Sequence, residues 1–510
     1  MIHTGVKVLC GRMLLAATAI AVSGCVPEGA YQPPSILSDA SHSVAPQEIT
    51  GDGIGIPLAA AFIPSNPNLA AQGRNGMHGD SYASGSYPYA GPSGTHPLVR
   101  SANMGGLFGG ECATVVFDSK GLLYTFCSKL TEMALYALDP DSLKVLAKKV
   151  LPLRDSNKSL NIKAIMGDTS GGAYFHLDHQ DRPIIATADR KIQIFELKTV
   201  GTGLSWEVAE AHDLSGVLPA KARVTDAAPD WQGNLWFVTR EGIVGAVTRG
   251  SGVIHVTQLA GEEIQNALAV AADGVYLVSN FAIYRFGLDG DGKPAVTWRQ
   301  TYDRGTQLKP GQIDQGSGTT PTLLDYQGHK WVAISDNADA QIGAVIYDRE
   351  TGALVCREPL FQPGLGATDN SFIAYGNSIV VENNYGYQGL FHNNWTQPGV
   401  SRIDINPDDS EGKVCRTRWT SNEASQTTVP KLSTANGLIY LYTREPVPGL
   451  PDTAQAYYLT TISFATGTTV RKVLTGTGIN FNNNYAPITI GPNGTAYIGV
   501  LSGIVAVSDR

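Results

Sequence analysis

Ser317-Gly-Thr-Thr-Pro-Thr-Leu-Leu-Asp-Tyr-Gln-Gly-His-Lys-Trp-Val-Ala-Ile-Ser-Asp336, then Gly343-Ala-Val-Ile-Tyr-Asp348, then Arg349-Glu-Thr-Gly-Ala-Leu-Val355, is the stretch on which the fold turns. Short apolar runs at 322–324, 331–334, 344–347 and from 353 are each cut by Gly, Asp or Thr. Val, Ile, Leu, Trp and Tyr between such turn formers are the chemistry of strands and hairpins. Four strands in one short stretch make an antiparallel sheet that cannot cover its own faces. It needs neighbours built like itself, so the chain is expected to repeat.

Working outward, a Gly followed within three positions by Tyr, Trp or a β-branched residue recurs at Gly121, Gly172, Gly233, Gly274, Gly328, Gly376, Gly437 and Gly494. The intervals are roughly 40 to 60 residues, a period that belongs to repeat architectures. Most repeats then carry a second short strand and an acidic turn, as in Leu135-Tyr-Ala-Leu-Asp139 and Val345-Ile-Tyr-Asp348. Four strands per repeat at this period predict an all-β fold, an eight-bladed β-propeller of four-stranded antiparallel blades. Seven blades is the rival count, because the spacing is uneven. The last repeat, ending at Arg510, supplies three strands, so a segment around Leu98–Met104 is expected to add the fourth and close the ring.

The order Thr-Pro-Thr, Gly-x-x-Trp and Val-Ile-Tyr-Asp-x-x-Thr-Gly resembles the repeat of quinoprotein-like propellers, a family named for alcohol dehydrogenases that bind pyrroloquinoline quinone. The resemblance spans Pro97 to Arg510 and implies a fold more than a function. Dehydrogenases of that family carry an adjacent Cys-Cys pair in the cofactor pocket. This chain has none, and no Cys-x-x-Cys-His haem site, so no quinone-binding residue carries over and redox activity is not expected.

Residues 1–24 form a signal peptide: Lys7 and Arg12 precede a short apolar run, Met13–Val22, too short for a permanent membrane span. Val22-Ser-Gly-Cys25 looks like a bacterial lipoprotein cleavage box, which makes Cys25 the lipid anchor. By analogy with lipoprotein sorting, Val26 after it implies the outer membrane, on its periplasmic side or at the cell surface. In anchor, fold and compartment this is similar to the outer-membrane assembly propeller lipoprotein. Residues 25–96 are rich in Pro, Gly and Ser and read as a partly ordered tether. Tyr82, Tyr87 and Tyr89 are the aromatics in it expected to lie on the propeller.

Composition narrows the function. Charged residues are 16%, Gly is 57 of 510, and the net charge of −8 comes without a basic stripe. Nucleic acid is therefore not an expected partner. Of six cysteines, Cys112, Cys127, Cys356 and Cys415 lie in the propeller. Export makes disulfides available to them, and the alternative is buried thiols. Cys112 and Cys127 flank one hairpin, whereas Cys356 and Cys415 occupy matching places in two blades.

Candidate chemistry sits where inner strands begin and end, around the central channel. Asp336, Asn337, Asp369, Asn370, Glu382, Asn383, Asn384 and Tyr385 are the ligand or metal candidates. Asp336, Asp369, Glu382 and Asn383 are oxygen donors of the kind Ca²⁺ accepts. The blander alternative is that Asp and Asn form turns by bonding nearby backbone N–H groups. Two functions remain: a membrane-tethered binding or scaffold module with a protein partner or small molecule at the channel face, or a propeller enzyme such as a Ca²⁺-assisted hydrolase or lactonase at the channel mouth. No catalytic constellation is complete, which favours binding.

Overall fold

The computed structural model describes residues 42–44 (backbone only), 48–60, 62–105, 110–159, 161–389, 395–446 and 455–510. Cys25 and the signal peptide lie outside the described residues.

Eight four-stranded antiparallel sheets stand around one axis. In the opening stretch, Thr322–Tyr326, His329–Ser335, Gly343–Asp348 and Leu354–Pro359 form the fifth blade, with Leu324 opposite Trp331 and Trp331 opposite Asp348. Trp331, Ala333, Ile346 and Ile379 then pack in one apolar cluster shared with the sixth blade. Blade faces are apolar on both sides because each is covered by a neighbour, which is why the strands read as continuous apolar runs.

The innermost strands, in chain order, are Glu111–Phe117, Phe175–Leu177, Val224–Pro229, Ala269–Ala271, Thr322–Tyr326, Ile373–Tyr375, Lys431–Ser433 and Ile488–Ile490. Pro97–Asn103 closes the eighth blade against Gly503–Asp509, with Ser101 opposite Val505. The ring count is eight, and the rival of seven falls because each Gly signal heads a separate sheet. Both cysteine pairs are bonded: Cys112–Cys127 within the first blade, and Cys356–Cys415 between the outer strands of the fifth and sixth.

The segment ahead of the ring is more than a spacer where it is described. His42–Val44 pairs with Pro97–Asn103 on the outer edge of blade eight, and Glu48–Thr50 pairs with the outer strand of blade seven. Farther on, residues 66–92 run along the turn face of the ring, where the first hairpin of each blade turns, and enter the channel. An innermost strand has no neighbour from its own blade on its inner edge, so the N–H groups there need acceptors from elsewhere. The segment's carbonyls accept them: Leu177 N to Asn75 O (2.6 Å), Val270 N to Ser81 O (2.7 Å), Leu323 N to Tyr82 O (2.9 Å), Ala374 N to Ser84 O (2.7 Å), Leu432 N to Gly85 O (3.0 Å). Ser86–Tyr87 goes further and pairs in parallel with Lys431–Ser433. Tyr82 and Tyr87 are buried there, 3% and 1% exposed, Tyr82 packed among residues of blades four and five and Tyr87 among residues of blades seven and eight.

Candidate functional site

The other end of the channel, the mouth face, is crossed by the long link between blades four and five. Its residues touch the sixth and eighth blades: Ile313 N donates to Asp369 Oδ2 at 2.5 Å, Gly386 N to Pro310 O at 3.1 Å, and the Tyr485 hydroxyl to Gly311 O at 3.2 Å. Asp314 forms an ion pair with Arg240. The channel is therefore closed by the N-terminal segment at the turn face and by this link at the mouth.

Between the two closures lies a band of buried polar groups. Glu382 accepts from the side-chain amides of Asn370 and Asn384, the latter at 2.9 Å, while its other oxygen has no partner. Asn384 Oδ1 in turn accepts from Asp369 N at 2.9 Å. Burial raises both Glu382 and Asp369 to about 7. Lys431, on the inner strand of blade seven, is 1% exposed; burial lowers its ammonium to about 7 against the attraction of Asp80 and Glu382. Asp80, on the channel segment, is raised by burial to about 6 although Ser84 and Tyr82 donate to it. His176 ties the segment to the ring: Nδ1 lies 3.0 Å from Asn75 Oδ1 and Nε2 lies 3.0 Å from Asp226 Oδ1.

The sequence candidates thus divide. Asp369, Asn370, Glu382 and Asn384 come together through hydrogen bonds. Asp336 and Asn337 are held by other partners. Asp336 pairs with Arg357 Nε at 2.5 Å and accepts from Gly343 N at 2.6 Å; Asn337 Nδ2 donates to Arg304 O and Gln307 O. Asn383 staples its own loop, accepting from Ala367 N and Tyr385 N and donating to Leu365 O. Tyr385 lies beside it, with its backbone N–H spent on that contact. Among the described residues, no three His, Cys, Asp or Glu side chains are grouped so as to hold a metal ion.

A cavity of about 160 Å³ lies on the mouth face, walled by the first, second and eighth blades. Met77, Phe126, Ile165, Met166, Tyr174 and Ile313 give it an apolar lining, and Glu111, Ser128, Lys129, Arg154, Asp168 and Asn484 are its polar groups. Two short helices, Asp155–Lys158 and Ile162–Met166, come from the link between blades one and two, and the second contributes Ile165 and Met166 to the wall. Asn161 caps that helix by accepting from Ala164 N, which fixes where the wall begins. Burial raises Glu111 to about 8, and Asn484 N donates to it at 2.5 Å.

No family model matches the sequence. An uncharacterized protein of Archaeoglobus fulgidus is 24% identical over 310 residues, 54% of this chain and 58% of its own length, so the chain spans little more than half of that relative. Among solved structures, quinohemoprotein alcohol dehydrogenase ADHIIG from Pseudomonas putida HK5 is similar with a TM-score of 0.53 at 11% identity, covering 87% of this chain and 80% of that one. BamB from Moraxella catarrhalis is similar with a TM-score of 0.35 at 16% identity over 64% of this chain and 93% of its own. At these identities the likeness to solved structures is one of fold alone: this chain is an eight-bladed β-propeller with quinoprotein-type and BamB-type propellers among its structural neighbours.

Proposed function

We propose that the protein is a binding module, held at a bacterial outer membrane through Cys25, that takes a small and mostly apolar molecule in the cavity at the channel mouth. The cavity carries this reading. It is concave, its lining is apolar, and a few polar groups stand at fixed places in it, the usual make-up of a ligand site. Its volume matches that of an apolar protein cavity known to hold benzene, roughly 150 Å³. The channel interior, by contrast, is lined by buried polar groups that bond chiefly to Asn side chains and to backbone, with Glu382 accepting from Asn370 and Asn384.

Benzene-sized aromatic molecules should therefore raise the melting temperature with concentration, because they bind the folded state alone. Ala173 lines the cavity, and Ala173→Phe should fill it and abolish the rise. A rise that survives in the variant would put the site elsewhere and overturn the proposal.

The anchor has its own test. Residues 26–41 separate Cys25 from the first strand on the ring. Cys25→Ala should move the protein from the membrane fraction to the soluble one, since the ring's surface offers no lipid chain of its own. Retention in the membrane fraction would rule the anchor out.

A further inference from the structure

We infer that the mouth cavity is selective for an oxyanion: its ligand is a small, flat, apolar molecule bearing one carboxylate, and Arg154 holds that carboxylate. The inference rests on the cavity being the ligand site and adds the charge class of what enters it.

Arg154 is 5% exposed and lines the cavity. Its Nε donates to Ser170 O at 2.7 Å, and its guanidinium sits 5.7 Å from the centre of the Phe126 ring. These two contacts fix the plane of the group. Its two terminal nitrogens make no hydrogen bond and no ion pair among the described residues. A buried charge left without a partner is costly, and a guanidinium offers a planar fork that matches a carboxylate with two parallel bonds.

The charged neighbours do not fill that role. Asp168 lines the same cavity and its charge acts on Arg154, but no hydrogen bond or ion pair joins the two: Oδ1 accepts from Ser170 N (3.1 Å) and Ser170 Oγ (2.6 Å), and Oδ2 accepts from Ser156 Oγ (2.7 Å). Lys129 is paired with Glu132 at 3.1 Å. Glu111 is raised to about 8 by burial, so it adds no negative charge to the lining at neutral pH. A second donor is open on the same lining: Ser128 Oγ is buried and has no partner. The Arg154 terminal nitrogens and the Ser128 hydroxyl can both donate, which suits an acceptor at the end of the ligand that meets them. The rest of the lining, Met77, Phe126, Ile165, Met166 and Ile313, suits a flat hydrocarbon body.

Calorimetric titration with benzoate and with its neutral isostere benzamide tests this on the whole protein. Benzoate should bind about tenfold or more tightly than benzamide, the difference expected for a charge-assisted pair over a neutral one. Arg154→Met should bring benzoate down to the benzamide level and leave benzamide unchanged. Should Arg154→Met fail to fold, Arg154→Lys keeps the charge without the fork and should lose a large part of the preference. Equal affinities for the two probes in the unsubstituted protein would overturn the carboxylate assignment while leaving a small-molecule site in place. Binding of neither would overturn both, and a benzoate preference that persists in Arg154→Met would place the anion elsewhere.

Discussion

The backbone N–H of Val270, on the inner strand of the fourth blade, donates a 2.7 Å hydrogen bond to the carbonyl of Ser81, on the segment that precedes the ring. The same segment serves Leu177, Leu323, Ala374 and Leu432 in four other blades, so one stretch of chain stitches the inner edges of five blades. The amides of Val270, Leu323, Ala374 and Leu432 should exchange with solvent as slowly as amides of the central strands. Fast exchange at these four would mean the channel is open on the turn face.

Tyr87 supplies the apolar half of this contact, packed with Val99, Leu438 and Tyr440. Tyr87→Ala should cost about 3–5 kcal/mol in denaturant unfolding, the usual range for removing a buried aromatic ring. A loss within experimental error would show that the ring stands without its plug.

Glu382 gives the channel a pH dependence with a definite sign. Its carboxyl is raised to about 7 from an ordinary value near 4.5, so the folded protein holds its proton more tightly than the unfolded chain. Its contribution is complete below the ordinary value and is lost as pH rises through 7. Lys431, Asp80 and Asp369 titrate in the same region, so the difference between variant and parent is the clean measurement. Glu382→Gln, whose amide oxygen still accepts from Asn370 and Asn384, should match the parent's melting temperature at pH 5 and exceed it at pH 8. A difference that does not grow with pH would contradict a protonated Glu382.

Glu111 gives the mouth cavity a second, separable dependence. Its carboxyl ionises near 8, and Lys129, Arg154, Asp168, Tyr174 and Tyr485 are the other titratable groups on the lining. Benzoate affinity should fall as pH rises through 8, when Glu111 adds its negative charge to that of Asp168 on the lining, while benzamide affinity stays level. Glu111→Gln should flatten the benzoate profile. An unchanged profile in that variant would show that another group sets it.

The two disulfides close loops of different length, 15 residues for Cys112–Cys127 and 59 for Cys356–Cys415. On chain entropy alone their removal should cost about 3 and about 4 kcal/mol respectively. Paired Cys→Ser variants, compared by thermal unfolding under non-reducing conditions, should keep that order. The larger loss belongs to the bond that joins two blades, since it restrains the longer stretch of unfolded chain.

The repeat was legible because blade packing is local in sequence. Each four-stranded sheet is one contiguous stretch, so the turn at Gly328 and the strand Trp331–Ile334 declare their roles within a few residues. The eight sheets, their antiparallel order and the closing strand near Leu98 all follow from that pattern. The polar cluster was legible in part: Asp369, Asn370, Glu382 and Asn384 belong to one neighbourhood and meet across a short loop. Asp336 and Asn337 carry the same residue types, and their partners, Arg357 and the 304–307 backbone, come from other parts of the chain that no local pattern announces.

No local pattern marks Arg154, Ser128, Glu111 or Lys431, for a related reason. Each sits in or beside an ordinary stretch, and its surroundings come from other elements: Phe126 and Ser170 around Arg154, and, from hundreds of positions away, Asn484 at Glu111 and Asp80 near Lys431. By itself, then, the order of residues determined the unit of the fold, its repetition and the closure of the ring, because those depend on apolar periodicity and turn chemistry within one blade. Only the tertiary structure decided that residues 66–92 fill the channel, which carboxylates share a proton-rich interior, and which arginine is left facing a cavity. Those outcomes depend on which groups lose water together, and that is set by segments hundreds of positions apart meeting around one axis.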